Sequence, residues 1–234
     1  MAEIIAYHGW GFDHICWADW VKYWSHRGHS VQCFDRGYWG QPSYPQFSDH
    51  LGSIPRMLLI HSFGFHLCPL EMIKAASQII IFNSFLNFHP QEPRLQQRSR
   101  RTVDRMRDRL KTHFHEVLQQ FWANCYAPIE YSSGSSVRHG PNLSLELNQD
   151  LLERDLEALN QIVAITEAER VMAIKQAASV TVIHGEADQI VPISQGATLA
   201  DAVSAKWITV PNTGHALPFS HPSLCWSLAP FNGL

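Results

Sequence analysis

Four short segments carry the residue types that acyl transfer requires: His8-Gly-Trp-Gly11, Ile60-His-Ser-Phe-Gly64, His184-Gly-Glu-Ala-Asp188 and Gly214-His215. That chemistry needs a nucleophile, a base to take its proton, an acid to orient the base, and donors for the oxyanion. Ser62, His215 and Asp188 fill the first three roles, and the glycine-flanked Trp10 has the form of an oxyanion loop. A serine at a strand end is commonly only a turn residue. Ser62 is singled out because Gly64, two residues later, lets a following helix approach neighbouring backbone closely, and because a full set of partners exists. His61 is expected to alternate to the other side of its strand and serve in packing. Fourteen histidines raise the question of a metal, but the chain has no HExxH and no close Cys/His cluster, and His113-Phe-His115 alone is weak. Neither a metal nor a cofactor is expected.

These segments need a scaffold that brings them together. Six short apolar runs bounded by turn residues, Ile4–Tyr7, Val31–Phe34, Met57–Ile60, Ile79–Phe82, Val180–Ile183 and Trp207–Val210, alternate with helical patterns. The alternation predicts an α/β fold with an open, mostly parallel sheet of about six strands, and the chemistry-bearing residues fall at strand ends, where such sheets place their sites. From about residue 84 to 175 the pattern is helical, with no convincing strand. This stretch is read as a lid inserted in a single domain spanning 1–234, divided by the polar loop Ser132–Pro141.

With 234 residues, 26.7 kDa and 45% hydrophobic residues, one sizeable core is expected. A net charge of −3 argues against nucleic-acid binding through overall positive charge. Five widely spaced cysteines without a CxxC pair read as reduced thiols. The N-terminus has no basic and apolar signal pattern, and no apolar run approaches the roughly 20 residues of a membrane span. A cytoplasmic, monomeric protein is expected.

The strand-end motifs, Asp35-Arg-Gly-Tyr-Trp-Gly40, Arg101-Thr-Val-Asp-Arg105 and Gly214-His-Ala-Leu-Pro-Phe-Ser-His-Pro222 together resemble the α/β-hydrolase superfamily over nearly the whole chain. The order Ser…Asp…His is the one expected of that fold. More narrowly, the chain resembles the BioH-type esterases, which cleave pimeloyl-acyl-carrier-protein methyl ester in biotin synthesis. The resemblance implies Ser62 as nucleophile, His215 as general base, Asp188 as its orienter, and the backbone N–H groups of Trp10 and Phe63 as the oxyanion hole, with Trp10 also lining the pocket. Two departures stand out. Ile60 occupies the first glycine position of G-x-S-x-G, with Phe65 after Gly64. The chain also begins at the strand before the oxyanion loop and leaves only Pro42–Pro55 for the helix preceding the elbow, implying a minimal version of the fold.

Between Arg94 and Lys111 lie eight of the 18 Lys and Arg residues against two acids, a local charge of +6. At about 100° per residue, Arg94, Arg98, Arg101, Arg105 and Arg109 share one ridge, and Leu95, Val103, Met106 and Leu110 form a separate apolar stripe. Such a ridge suits docking of an acidic partner, although charge runs on exposed helices are often only solvated faces. The resemblance implies an acyl carrier protein as that partner, contacted by Arg101 and Arg105, with Met106, Arg107, Asp108, Arg109 and Leu110 lining the acyl channel. A second arginine pair expected farther along is missing, since Glu116–Trp122 has no basic residue; Arg94, Arg98 or Arg109 would substitute. A general short-chain carboxylesterase or thioesterase, and a hydrolase-fold binding protein with a vestigial triad, are the alternatives.

Overall fold

The computed structural model describes residues 1–48, 54–130, 146–161 and 167–228. Six strands form one all-parallel sheet in the order β2-β1-β3-β4-β5-β6: β1 (Glu3–Tyr7), β2 (Ser30–Cys33), β3 (Arg56–His61), β4 (Gln78–Phe82), β5 (Ser179–Gly185) and β6 (Lys206–Val210). Each expected strand is present, within two residues at either end. The central strands are near-continuous apolar runs because helices cover both of their faces, whereas the edge strands β2 and β6 are half exposed.

Alternate side chains of each strand enter two separate core layers. Ile4, Ala6, Met57, Leu59, Ile80 and Phe82 face one layer, and Ile5, Tyr7, Leu58, Ile60, Ile79 and Ile81 the other. Helix α1 (Ala18–Ser25) closes the first layer with Trp20 and Trp24. The second is closed by α2 (Gly64–Leu67) and α3 (Leu70–Ala75), through Phe65, Met72 and Ile73.

The stretch expected to form a lid contains α4 (Pro93–Tyr126) and α5 (Gln149–Leu159), which pack on each other. Pro93 opens α4, with the Glu92 carboxylate capping the N–H groups of Arg94 and Leu95 at 3.0 and 2.8 Å. Its axis breaks at His113, whose φ of −137° and ψ of 42° are not helical. The expected lid boundary is corrected by α6 (Ala168–Ile174), which packs on α3 and on α7 (Ile193–Val203) and buries Ala173 and Ile174 in the second core layer. It belongs to the body, because its apolar residues meet the sheet layer and not the lid. The chain ends its described part with α8 (Leu217–Ser220) and α9 (Pro222–Leu228). The polar loop Ser132–Pro141 lies outside the described residues. No helix occurs in the described parts of Pro42–Pro55. Among the described residues no helix is long and apolar enough to cross a membrane.

Candidate active site

The sheet order reverses between β1 and β3, so the connections leaving their C-terminal ends run to opposite sides and leave a crevice beyond the strands. Ser62 stands at that point, immediately after β3. Its φ of 53° is left-handed, a conformation costly for serine, which turns the chain from strand into α2 within one residue. The turn is secured by Ser62 N–H donating to Phe82 O at 3.0 Å and by Ser84 Oγ donating to Ser62 O at 2.8 Å. Gly64 is required here. A Cβ on it would lie 2.7 Å from His8 O and 2.8 Å from Tyr7 O, both backbone atoms. Ile60, in place of the first elbow glycine, is buried in the second core layer and takes part in the β1 register opposite Tyr7.

Strand ends bring the partners to Ser62. His215, after β6, has Nε2 2.9 Å from Ser62 Oγ and Nδ1 2.8 Å from Asp188 Oδ2. Asp188, after β5, keeps Oδ1 for the N–H groups of Ile190 and Val191, at 2.8 and 2.9 Å. Its Oδ2 also accepts Asn83 Nδ2 at 2.8 Å and faces His184 Nε2 at 3.3 Å. Burial alone would raise the carboxyl's pKa, but His215 and His184 beside it hold it well below the usual carboxylate range. A buried, ionised Asp188 fixes the tautomer with hydrogen on Nδ1 of His215, leaving Nε2 to accept the serine proton. The linked groups can thus generate a serine alkoxide equivalent and later return the proton to a leaving group.

The loop after β1 supplies the other wall. A Cβ on Gly9 would come within 2.8 Å of Ser62 Cβ and 3.2 Å of Ser62 Oγ, so the main chain before Trp10 passes directly over the nucleophile candidate. Neither Trp10 N–H nor Phe63 N–H donates to a backbone carbonyl among the described residues. Phe63 sits at the N-terminus of α2, so its N–H also lies at the positive end of that short helix. The Trp10 ring is buried, with Phe121 edge-on at 4.8 Å. Ser62 itself is only 6% exposed and His215 is fully buried, so the site is enclosed within the fold.

His61 is neutral in its buried position, its pKa pushed well down by burial and by His215. It packs as expected, but not away from the site. Its ring lies 4.9 Å from that of His215, and its Nε2–H donates to His215 O at 3.0 Å. The left-handed turn at Ser62 interrupts strand alternation, so both side chains approach His215.

The lid residues divide. Arg94, Arg98, Arg101, Arg105 and Arg109 are all exposed on α4, and among the described residues only Arg109 of these has an ion pair, with Glu116. Of the stretch expected to line the channel, Met106 and Leu110 turn inward to the core. Arg107 pairs with Glu157 of α5, and Asp108 and Arg109 face solvent. One helix turn cannot point five successive residues to one side, so these three are corrected away from the pocket. Leu95, placed in the apolar stripe by periodicity, is 52% exposed. A small, mainly apolar groove beside the second half of α4 is lined by Trp39, Phe114, Leu118, Trp122 and Leu147, with His115 and Gln119 among them.

Asn83, Asp155 and Trp122 were not singled out by sequence. Asn83 has a φ of 47°, a value that asparagine tolerates better than most residues, and an asparagine closing a strand is the one signal that pointed to it.

Solved structures share this architecture. An esterase from Exiguobacterium antarcticum is 14% identical, with a TM-score of 0.75 over 98% of this chain and 92% of that one. An alpha/beta hydrolase enzyme from a Medee basin deep-sea metagenome library is 17% identical, with a TM-score of 0.70 over 97% and 87%. The enol-lactonase from Burkholderia xenovorans LB400 is 16% identical, with a TM-score of 0.69 over 97% and 88%. The chain therefore has the α/β-hydrolase fold. No family model and no curated protein matches the sequence.

Proposed function

We propose that this protein is a serine carboxylesterase that hydrolyses the methyl ester of a pimeloyl chain carried on acyl carrier protein, a step of biotin synthesis. The observation that carries the esterase reading is the continuous relay Ser62–His215–Asp188, with both links under 3 Å, in a buried crevice at the sheet's switch point. Ser62 Oγ attacks the terminal ester carbonyl as its proton passes to His215 Nε2. The tetrahedral oxyanion takes hydrogen bonds from Trp10 and Phe63 N–H. Collapse breaks the bond to methoxide, which leaves as methanol with the proton from His215. Water, activated by the same imidazole, then frees the acyl-enzyme as an ω-carboxylate.

Three features support the carrier-protein part of the reading. The arginine ridge is exposed, Arg94, Arg98, Arg101 and Arg105 have no ion pairs among the described residues, and α4, which bears them, also supplies Phe121 against Trp10. Acyl carrier proteins are acidic and deliver their chain on a long arm, which suits cations beside a covered pocket.

Methanol release from methyl-pimeloyl carrier protein, with the thioester left intact, is the test. Ser62→Ala should lower kcat by about 10⁶-fold, the loss expected when the three groups act as a unit, without unfolding the protein. Substantial residual turnover in that variant would overturn the assignment. A second reading, a general carboxylesterase, is favoured by the esterase and enol-lactonase that share the fold. It predicts turnover of small esters and none of the carrier-bound substrate.

A further inference from the structure

The Gly9-Trp10-Gly11 loop has no regular structure, and within itself it is closed only by Phe12 N–H donating to Gly9 O at 3.4 Å. Yet an oxyanion donor must point in a fixed direction before the reaction begins. Because a peptide unit is planar and trans, Trp10 N–H points opposite to Gly9 C=O, so whatever holds that carbonyl aims the donor. His8 does so directly, its Nδ1–H donating to Gly9 O at 2.8 Å. Its Nε2 accepts the backbone N–H of Arg36 at 3.1 Å, and burial keeps the ring neutral by lowering its pKa to about 4.

The remaining restraints come from the lid. The Arg36 guanidinium is held by both oxygens of Asp155 on α5, at 2.7 and 2.8 Å, and Tyr38 OH donates to the same carboxylate at 2.8 Å. Asp155 is 4% exposed, so this is a buried, bidentate pair. On the other side of the donor, Trp122 Nε1–H of α4 donates to Gly11 O at 2.8 Å. The Trp10 indole donates to Leu152 O of α5 at 2.9 Å, and Phe121 closes against both Trp10 and Gly11. Both lid helices therefore grip the loop, at carbonyls and a side chain flanking the one N–H that matters.

We infer that Trp122 and Asp155 are positioning residues: through Gly11 O and through Arg36 and His8, they aim the Trp10 N–H at the developing oxyanion, so that a seated lid completes the oxyanion hole. This inference rests on the esterase reading and deepens it. Misplacing a preorganised donor by about an ångström costs on the order of 10²-fold in rate, and losing one outright 10²–10³-fold.

The test compares wild type with Trp122→Phe, Asp155→Asn and Trp10→Phe on a soluble p-nitrophenyl ester, and on a trifluoromethyl ketone that forms a tetrahedral adduct with serine. Trp122→Phe keeps most of the ring volume, and Trp10→Phe keeps the backbone donor while removing its indole tether. Each should lower kcat by about 10- to 100-fold and weaken the ketone by the same factor, with KM within about twofold for Trp122→Phe and Asp155→Asn. The acid limb of the kcat/KM profile should not move, because His215 and Asp188 are untouched. Should Asp155→Asn fail to fold, the two tryptophan variants decide. Folded tryptophan variants with kcat and ketone affinity both within twofold of wild type would overturn the inference while leaving the esterase intact. A wild type that neither turns over the ester nor takes a fluorophosphonate on Ser62 would overturn the esterase reading and the inference with it.

Discussion

Ser62 holds its left-handed backbone only because its surroundings dictate it, and such a residue costs on the order of 1–3 kcal/mol. The elbow offsets that strain by letting α2 begin against the end of β1, an approach that Gly64 alone permits. Gly64→Ala should therefore cost at least about 2 kcal/mol from overpacking, since the atoms in its way are backbone and cannot rotate aside. It should also depress ester turnover, because the displaced atom, His8 O, opens the oxyanion loop. Thermal unfolding alongside ester kinetics checks this; an unchanged melting temperature would mean that the elbow has room to spare. Ser62, Asp188 and His215 were legible in the sequence because chemistry restricts their types and each follows an apolar run near a glycine. Asn83, Asp155 and Trp122 were not, because their partners lie 105, 119 and 111 positions away and nothing local marks the pairing.

At the scale of the element, helix α4 does two jobs on two faces. Periodicity placed the arginine ridge correctly, since an exposed face needs only a constant 100° step over a few turns. It failed at Leu95, in the first turn, and could not foresee the break at His113, because a helical wheel assumes one straight axis with a neighbour along its whole length. The ridge being exposed, Arg101→Glu with Arg105→Glu should change stability by no more than about 0.5 kcal/mol per site. Carrier-protein kcat/KM should nevertheless fall about tenfold or more at low salt, with a smaller difference at high salt, while a small soluble ester is unaffected. Equal losses on both substrates would remove carrier docking from the reading and leave the esterase.

For the whole molecule, the parallel sheet was readable because central strands buried on both faces must be apolar throughout, and four such runs stand out between helices, flanked by the two half-exposed edge strands. The strand order was not, because which run lies beside which depends on the crossovers. That order carries two histidines, His8 and His61, into buried sites at the switch point, and their environment makes stability depend on pH. His8 is pushed by burial from 6.5 to about 4, and His61 is also pushed well down, so between these values the unfolded chain binds protons that the folded protein refuses. Stability must then fall as pH drops from about 6.5 towards 4, with His8 alone contributing about 3 kcal/mol over the full interval. Urea unfolding across that range should give a slope of up to about 1.4 kcal/mol per pH unit for each such histidine. His8→Asn should be less stable at pH 7 but show a shallower slope, having lost one proton from the balance. A flat stability profile between pH 6.5 and 4.5 would mean that the two rings accept protons in place. The hydrogen bond from Arg36 N–H to His8 Nε2 could not then survive, and the link from lid to oxyanion loop would already be open at mildly acidic pH.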